Sequence, residues 1–143
     1  ELVYRLDGAE DIAKIQVAPA KMDNTDEGKR IQEEIGTHMI TDPESIKTIY
    51  EVLASMTCYG ASGWDKIDYG AEDAPSDGAG GSHRAVRLGR YLTITTAYGN
   101  EIDGLKYTAV SDMFYEFSGI AYSPLEAEQA EAVRRALGID LPQ

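Results

Sequence analysis

A long stretch of two-residue alternation constrains the fold of this chain more than any other sequence feature. In residues 85–98, apolar side chains such as Val86, Leu92 and Ile94 alternate with polar or small ones. This pattern, rich in β-branched and aromatic residues, is typical of a strand with one buried face. The stretch therefore predicts a central strand, in which Gly89 permits a bulge or bend.

Shorter alternating segments predict further strands. In residues 11–18, the side chains of Ala13, Ile15 and Val17 share one face. Similar patterns predict strands at residues 35–40, 106–110 and 112–117, whereas the polar residues 21–30 predict a surface loop. Because the connections between consecutive strands are short, we expect antiparallel pairing. Gly99-Asn100 and Asp103-Gly104 are candidate turns.

Two segments predict amphipathic helices. Thr41-Asp42-Pro43-Glu44 is a helix-start signal, and apolar residues follow it at helical spacing: Ile46, Ile49, Tyr50, Leu53 and Met56. Ser123-Pro124-Leu125-Glu126 repeats the signal before an inward stripe of Ala130, Val133 and Leu137. Gly138 is the expected helix end, with Ile139 as its hydrophobic partner.

The order of these elements predicts an α+β fold. Strands that follow one another, rather than alternate with helices, favour an antiparallel sheet of about five strands with two amphipathic helices on one face. The 143 residues suit a single domain. An acidic, glycine-rich segment at about residues 70–83 predicts a flexible loop within it.

The net charge of −12 restricts the class of partner. Nucleic acids are bound largely through Lys and Arg side chains that neutralise phosphates, so we expect no nucleic-acid partner. An acidic chain is equally unsuited to docking on an anionic membrane surface, and no apolar run approaches the ~20 residues of a membrane span. The expected partner is an unknown protein or a small ligand.

The sequence contains no recognisable catalytic or metal-binding motif. Cys58 is the only cysteine and lacks a local base, so we expect a packed, unreactive thiol. The acids of residues 65–77 do not follow the spacing of a calcium loop, and the two histidines, His38 and His83, are far apart. The glycines of residues 78–82 precede a strand rather than a helix, unlike a phosphate-binding loop. We expect no catalytic residues, metal or cofactor.

The candidate ligand-binding residues are three tyrosines and two arginines. Tyr91, Tyr107 and Tyr115 would form a recognition surface of the kind that interfaces favour if they emerged on the helix-free face of the sheet. Arg84 and Arg87 would suit a ligand that carries a carboxylate or a phosphate. The simpler interpretation is that strands favour aromatic residues and that the arginines pair with the acids of residues 65–77.

Residues 36–50 resemble part of a known group of domains. They read Gly-Thr-His-Met-Ile-Thr-Asp-Pro-Glu-Ser-Ile-Lys-Thr-Ile-Tyr, a strand followed by a capped helix, and the strand at residues 11–17 precedes them. Both segments are similar to uncharacterised extracytoplasmic domains of Gram-positive bacterial lipoproteins and membrane-tethered proteins. The resemblance implies a secreted or surface-anchored location, with a cytoplasmic one as the alternative. Because the chain begins at Glu1, we expect an address or lipid-anchor segment upstream.

Three hypotheses about function follow. The first is a non-enzymatic extracytoplasmic module that binds a protein or a small ligand through its loops or an open sheet face. The second is a hydrolase or transferase whose site lies around residues 65–84 and uses His83 and Arg84. The third is a structural accessory domain of a longer protein. The lack of a catalytic motif favours the first hypothesis.

Overall fold

The computed structural model describes residues 6–19, 26–59, 89–109, 112–116 and 120–139. Its strands are β1 (Ile12–Pro19), β2 (His38–Ile40), β3 (Cys58–Tyr59), β4 (Gly89–Thr96), β5 (Glu101–Thr108), β6 (Met113–Glu116) and β7 (Ile120–Tyr122). They form a seven-stranded sheet in the order β2-β1-β4-β5-β6-β7-β3. Every pairing in it is antiparallel.

The helices of the described residues are α1 (Asp26–Ile35), α2 (Pro43–Ser55) and α3 (Ala127–Leu137). A short 3₁₀ turn, Ala9–Asp11, precedes β1. The predicted α+β class is therefore confirmed. Three of the strands have only two or three residues, too few to show an alternation in the sequence. The predicted loop at residues 70–83 and the first part of the predicted central strand lie outside the described residues.

Helix α1 replaces a predicted loop. Residues 26–30 were expected to be irregular because they are polar, yet they form the first half of this helix. Only Gly28 and Ile31 of α1 are buried, so the apolar stripe is too narrow to reveal a helix by its periodicity. The predicted strand at residues 35–40 is correspondingly shorter. Ile35 ends α1, Gly36 takes a left-handed φ of 66°, and β2 begins at His38.

Two bulges change which residues face the core. Between Ile12 and Lys14 the register of β1 against β4 shifts by one residue, so Ile12 is buried and Ala13 is exposed, contrary to the predicted alternation. In β5, Asp103 and Gly104 together oppose Thr93 of β4. Gly104 has a φ of 92°, a conformation that glycine adopts readily. Asp103-Gly104 is therefore a bulge within β5 and not the predicted turn.

Helix α2 begins as the sequence predicts. Asp42 is its N-cap, and the carboxylate Oδ2 accepts hydrogen bonds from the Ser45 backbone N–H (3.1 Å) and the Ser45 hydroxyl (2.9 Å). Pro43 occupies the first turn, where its missing N–H leaves no bond unmade. The inward face is as predicted at Ile46, Ile49 and Leu53.

Helix α3 begins later than its start signal suggests. Its N-cap is Glu126, whose backbone N–H donates to Gln129 Oε1 at 3.1 Å, and not Ser123. The Ser123 hydroxyl instead accepts the Thr57 backbone N–H at 3.3 Å. The predicted end is confirmed, because Gly138 has a φ of 75° and the buried Ile139 follows it.

Helices α2 and α3 pack on one face of the sheet. Their buried residues join those of the strands in one hydrophobic cluster, which includes Ile15, Val17, Leu92, Ile94, Leu105, Tyr107, Phe114, Ile46, Ile49, Leu53, Val133 and Leu137. The start of α3 lies at the β5–β6 turn, where the Leu125 N–H donates to the Asp112 carbonyl at 2.8 Å. The end of α3 lies beside β2, where the His38 side chain is close to Gly138. This helix therefore crosses most of the sheet.

Candidate functional site

The structure does not bring the predicted site residues onto one surface. Tyr91 and Tyr115 lie on the sheet face opposite α2 and α3, in register with Lys106 between them. Tyr107 lies on the opposite face, because it pairs with Arg90 and belongs to the core under the helices. Its predicted placement on the helix-free face is wrong. Arg84 and Arg87 lie outside the described residues, as does the proposed enzyme site at residues 65–84.

The sheet face opposite α2 and α3 is only partly exposed. Tyr115 is 7% exposed and Met113 is fully buried, although both point away from Phe114 and the helices. The Lys106 ammonium lies 5.0 Å from the centre of the Tyr115 ring, a cation–π contact. Tyr91 is half-buried, and burial raises the pKa of its hydroxyl. The predicted tyrosine surface is thus reduced to one half-exposed ring.

Tyr107 belongs to a partly buried polar cluster with Asp112 and Arg134, which we call the Tyr107 cluster. The Tyr107 hydroxyl donates to Asp112 Oδ1 at 2.5 Å, and Arg134 Nε lies 3.3 Å from the same oxygen. Burial, and then the hydrogen bond to Asp112, raise the pKa of Tyr107 far above its usual range. The cluster joins β5, the β5–β6 turn and α3, so its role is to stabilise the fold.

Three further buried polar side chains, Tyr122, Glu116 and Arg90, also form hydrogen bonds within the fold. The Tyr122 hydroxyl donates to Glu116 Oε2 at 2.5 Å, which links β7 to β6. The Arg90 guanidinium donates to the carbonyl of Gly89 at 2.7 Å, and burial lowers its pKa. Each of these polar groups has a partner within the protein, as buried polar groups require. None of them lines either of the two cavities described below.

The β4–β5 turn carries the most exposed aromatic side chain of the described residues. Tyr98 is 82% exposed, whereas most of the described tyrosines are buried or partly buried. The turn is held rigidly: Thr96 Oγ1 accepts the N–H groups of Tyr98 (3.3 Å) and Asn100 (3.1 Å), and Gly99 has a φ of 89°. The predicted tight turn at Gly99-Asn100 is therefore confirmed.

A small cavity lies beneath this turn. It has a volume of about 250 Å³, and the described residues that line it are Leu6, Asp11, Thr96, Tyr98, Asn100 and Ile102. Of these lining residues, Leu6 and Ile102 are buried and apolar, whereas Asp11 and Asn100 have polar side chains. We call this the Tyr98 cavity. Its lining residues include an exposed tyrosine, an aspartate and an asparagine.

A second cleft, with a larger volume of about 420 Å³, adjoins the 3₁₀ turn Ala9–Asp11. It runs between that turn and the start of α2, and Glu10, Glu44 and Lys47 contribute its charged side chains. Because the charges are of both signs and the first turn of α2 is already capped by Asp42, this cleft has no evident preference for a ligand.

Sequence reasoning missed the residues of the Tyr98 cavity. The alternation assigns Tyr98 to the end of the predicted central strand and Asp11 to the start of the predicted strand at residues 11–18. One signal was available: turn positions favour Gly, Asn, Asp, Ser and Pro, so a tyrosine beside Gly99-Asn100 departs from turn chemistry. Asp11 could not have been found this way, because its approach to the turn depends on the pairing of β1 with β4.

Comparisons with known proteins leave this chain without a match: no family model, no curated protein and no solved structure is similar to it at a significant level. Among the described residues, no group of three or more His, Cys, Asp or Glu side chains could hold a metal ion. None of the described helices is long and apolar enough to cross a membrane.

Proposed function

We propose that this chain is a non-enzymatic binding module of an extracytoplasmic bacterial protein, and that it contacts a partner protein through the β4–β5 turn. The observation that carries the proposal is Tyr98, which is 82% exposed on a rigid turn beside a cavity. Exposed tyrosines at interfaces supply a large contact area with few rotatable bonds, and they are enriched among the residues that dominate binding energy.

The arrangement of the buried polar groups supports binding rather than catalysis. A catalytic site needs a reactive group aimed at a cleft, with a base or an acid within hydrogen-bond reach. Within the described residues, the Tyr107 hydroxyl and Glu116 instead hold neighbouring elements together. The Tyr98 cavity contains a carboxylate and an amide, which recognise ligands well but form no nucleophile–base pair.

The size of the Tyr98 cavity favours a protein partner. Pockets for small ligands usually measure about 300–1,000 Å³ and enclose most of the ligand. The Tyr98 cavity, at about 250 Å³, is smaller and suits one side chain of a partner. The extracytoplasmic setting is supported by the resemblance of residues 36–50 to lipoprotein domains and is part of the proposal.

Selection of peptides displayed on phage against the full chain tests this function. We expect enriched peptides whose binding is at least tenfold weaker to a Tyr98→Ala variant, because removing a central interface tyrosine typically costs about 2 kcal/mol or more. Tyr50→Ala cannot serve as the control, because that side chain packs on the core. Met39→Ala is suitable, because Met39 is 43% exposed on the distant strand β2.

Two results of the peptide selection would contradict the proposed function. If no peptide is enriched, or if the enriched peptides bind the Tyr98→Ala and Met39→Ala variants equally well, the β4–β5 turn is not the contact surface and the proposed function is wrong.

A further inference from the structure

We propose that the Tyr98 cavity binds the guanidinium group of an arginine side chain supplied by the partner protein. This inference rests on the proposed function and specifies the chemistry of recognition. It is carried by the character of the cavity lining, whose residues include hydrogen-bond acceptors, an aromatic ring and buried apolar side chains.

The polar lining favours a donor-rich, positively charged group. Asp11 Oδ2 accepts the Asp7 N–H at 2.7 Å, and Oδ1 has no hydrogen-bond partner among the described residues. Asn100, whose side chain carries an amide oxygen that can accept a hydrogen bond, is also a lining residue. A guanidinium has five N–H donors and no acceptor, and it binds carboxylates with two parallel hydrogen bonds.

The apolar lining selects arginine over lysine. A guanidinium is planar and weakly hydrated, so it stacks on aromatic faces at a smaller desolvation cost than an ammonium. Tyr98, which is 82% exposed, is the aromatic residue of the lining. Leu6 and Ile102, both buried, are apolar lining residues on which the methylene groups of the arginine stem can pack.

The lining is organised before any ligand arrives. The Ala97 N–H donates to the Asp11 carbonyl at 2.7 Å, so the backbone of the 3₁₀ turn is tied directly to the β4–β5 turn. Thr96 Oγ1 fixes the turn from within by accepting two N–H groups. Because Asp11 and Tyr98 lie on connected backbone segments, binding need not order the backbone of the lining, which preserves affinity.

The charge of the whole chain assists the same ligand. With a net charge of −12, the protein attracts cationic partners over distances of about one Debye length, about 8 Å at physiological salt. This long-range attraction speeds encounter but does not choose a site. The choice of site depends on the Asp11 carboxylate at short range.

An NMR titration of the isotope-labelled full chain tests the inference. The probe is the capped tripeptide acetyl-Gly-Arg-Gly-amide, and the comparison peptides carry citrulline or lysine in place of arginine. Citrulline has nearly the shape of arginine without its charge. We expect saturable shifts of the Ala97, Tyr98 and Gly99 amides with a Kd in the millimolar range, at least tenfold weaker binding of the citrulline peptide, and intermediate binding of the lysine peptide.

Variants of single lining residues show which side chains contribute to binding of the arginine peptide. Asp11→Asn keeps an oxygen that can accept the Asp7 N–H but removes the charge, so we expect about tenfold weaker binding of the arginine peptide. Tyr98→Leu should weaken binding about three- to fivefold. Glu101→Gln is the matched control: it removes one exposed charge near the turn without touching the lining, and its effect should stay below about twofold.

Three results would overturn the inference: no saturable shifts at the turn, equal affinity for the arginine and citrulline peptides, or equal weakening by Glu101→Gln and Asp11→Asn. The first two need no variant and so do not depend on variant folding. Equal binding of the arginine and citrulline peptides at the turn would reject arginine recognition alone. The peptide selection, in contrast, decides whether the turn is a contact surface at all.

Discussion

The Tyr107 cluster illustrates how a single side chain can hold three elements together. Tyr107 is completely buried, its hydroxyl donates to Asp112, and Asp112 pairs with Arg134 of α3. Asp112 also has a φ of 49°, and its carbonyl accepts the Leu125 N–H just before α3. Asp tolerates this left-handed backbone better than most residues. The tyrosine hydroxyl therefore stabilises both the turn and the approach of the helix.

Removing that hydroxyl should destabilise the protein. In a Tyr107→Phe variant the ring still packs on Phe114, at 4.9 Å between ring centres, but Asp112 loses a donor in a partly buried site. We expect the free energy of unfolding to fall by about 1–3 kcal/mol in urea denaturation. Tyr98→Phe is the control and should change it by less than about 0.5 kcal/mol, because that ring is 82% exposed. Equal effects of both variants would contradict the role of the cluster.

The same hydroxyl predicts a loss of stability at alkaline pH. The pKa of Tyr107 is raised in the folded protein, so above pH ~10, the usual tyrosine value, the unfolded chain releases a proton that the folded chain keeps. Ionisation then favours unfolding, and stability falls by up to about 1.4 kcal/mol per pH unit from this group. Urea denaturation between pH 9 and 11.5 should show a steeper fall for the wild type than for Tyr107→Phe. Parallel curves would contradict this assignment.

At the scale of single elements, the two predicted helices differ from α1, which was not predicted, in how many apolar side chains they bury. Helix α2 and helix α3 bury a stripe of apolar side chains, so periodicity reveals them. Helix α1 buries Ile31 and Gly28 alone, and its outer surface carries charged pairs such as Arg30 with Glu27 at 2.9 Å. The bulges in β1 and β5 are equally hidden, because a bulge depends on the partner strand.

The N-cap of α2 should stabilise the protein most at neutral pH, where the Asp42 carboxylate is ionised. The hydrogen bonds from Ser45 lower the pKa of Asp42, so the cap stabilises the helix above the unfolded-state value of about 4 and loses this effect as the pH falls through the lower folded-state value. We expect Asp42→Ala to lower the Tm at pH 7 and to have a smaller effect at pH 3. Asp42→Asn, which keeps an acceptor, should lower it less. A pH-independent difference would exclude the carboxylate as the cause.

The end of α3 gives a test of backbone conformation. Gly138 has a φ of 75°, and a β-carbon there would meet only His38 atoms at 3.6 Å and beyond, an ordinary contact. Gly138→Ala should therefore cost about 1 kcal/mol through its left-handed backbone rather than through a clash. Gly99→Ala, at a φ of 89° with no atom within 4 Å, should cost a similar amount in urea denaturation. A much larger loss at Gly138 would indicate steric conflict instead.

At the scale of the whole molecule, the fold class was predictable and the candidate site was not. Alternation and capping signals act over a few residues, and they define most of the longer elements. The Tyr98 cavity depends on the position of Asp11 against the turn, and the Tyr107 cluster depends on where α3 crosses the sheet. Such contacts join residues far apart in the chain, so no local pattern encodes them.

Charge repulsion is a further property of the whole molecule. With a net charge of −12, the compact state should be destabilised by its own field, and salt should screen this effect. We expect the Tm to rise between about 10 mM and 200 mM NaCl at pH 7. The rise should shrink near the sequence pI of about 4.4, where the net charge vanishes. A falling Tm at pH 7 would mean that attractive ion pairs outweigh the repulsion.

The pairing of β3 with β7 has a consequence for how the chain folds. It joins Cys58 to Tyr122 and Tyr59 to Ala121, residues separated by about half of the chain, through a strand of only two residues. The long intervening segment must close before this short ladder can form, and few bonds then compensate for the lost chain entropy. We therefore expect this edge of the sheet to form after the β4–β5 hairpin, whose strands are joined by a tight turn, and to open before the central strands when the protein unfolds.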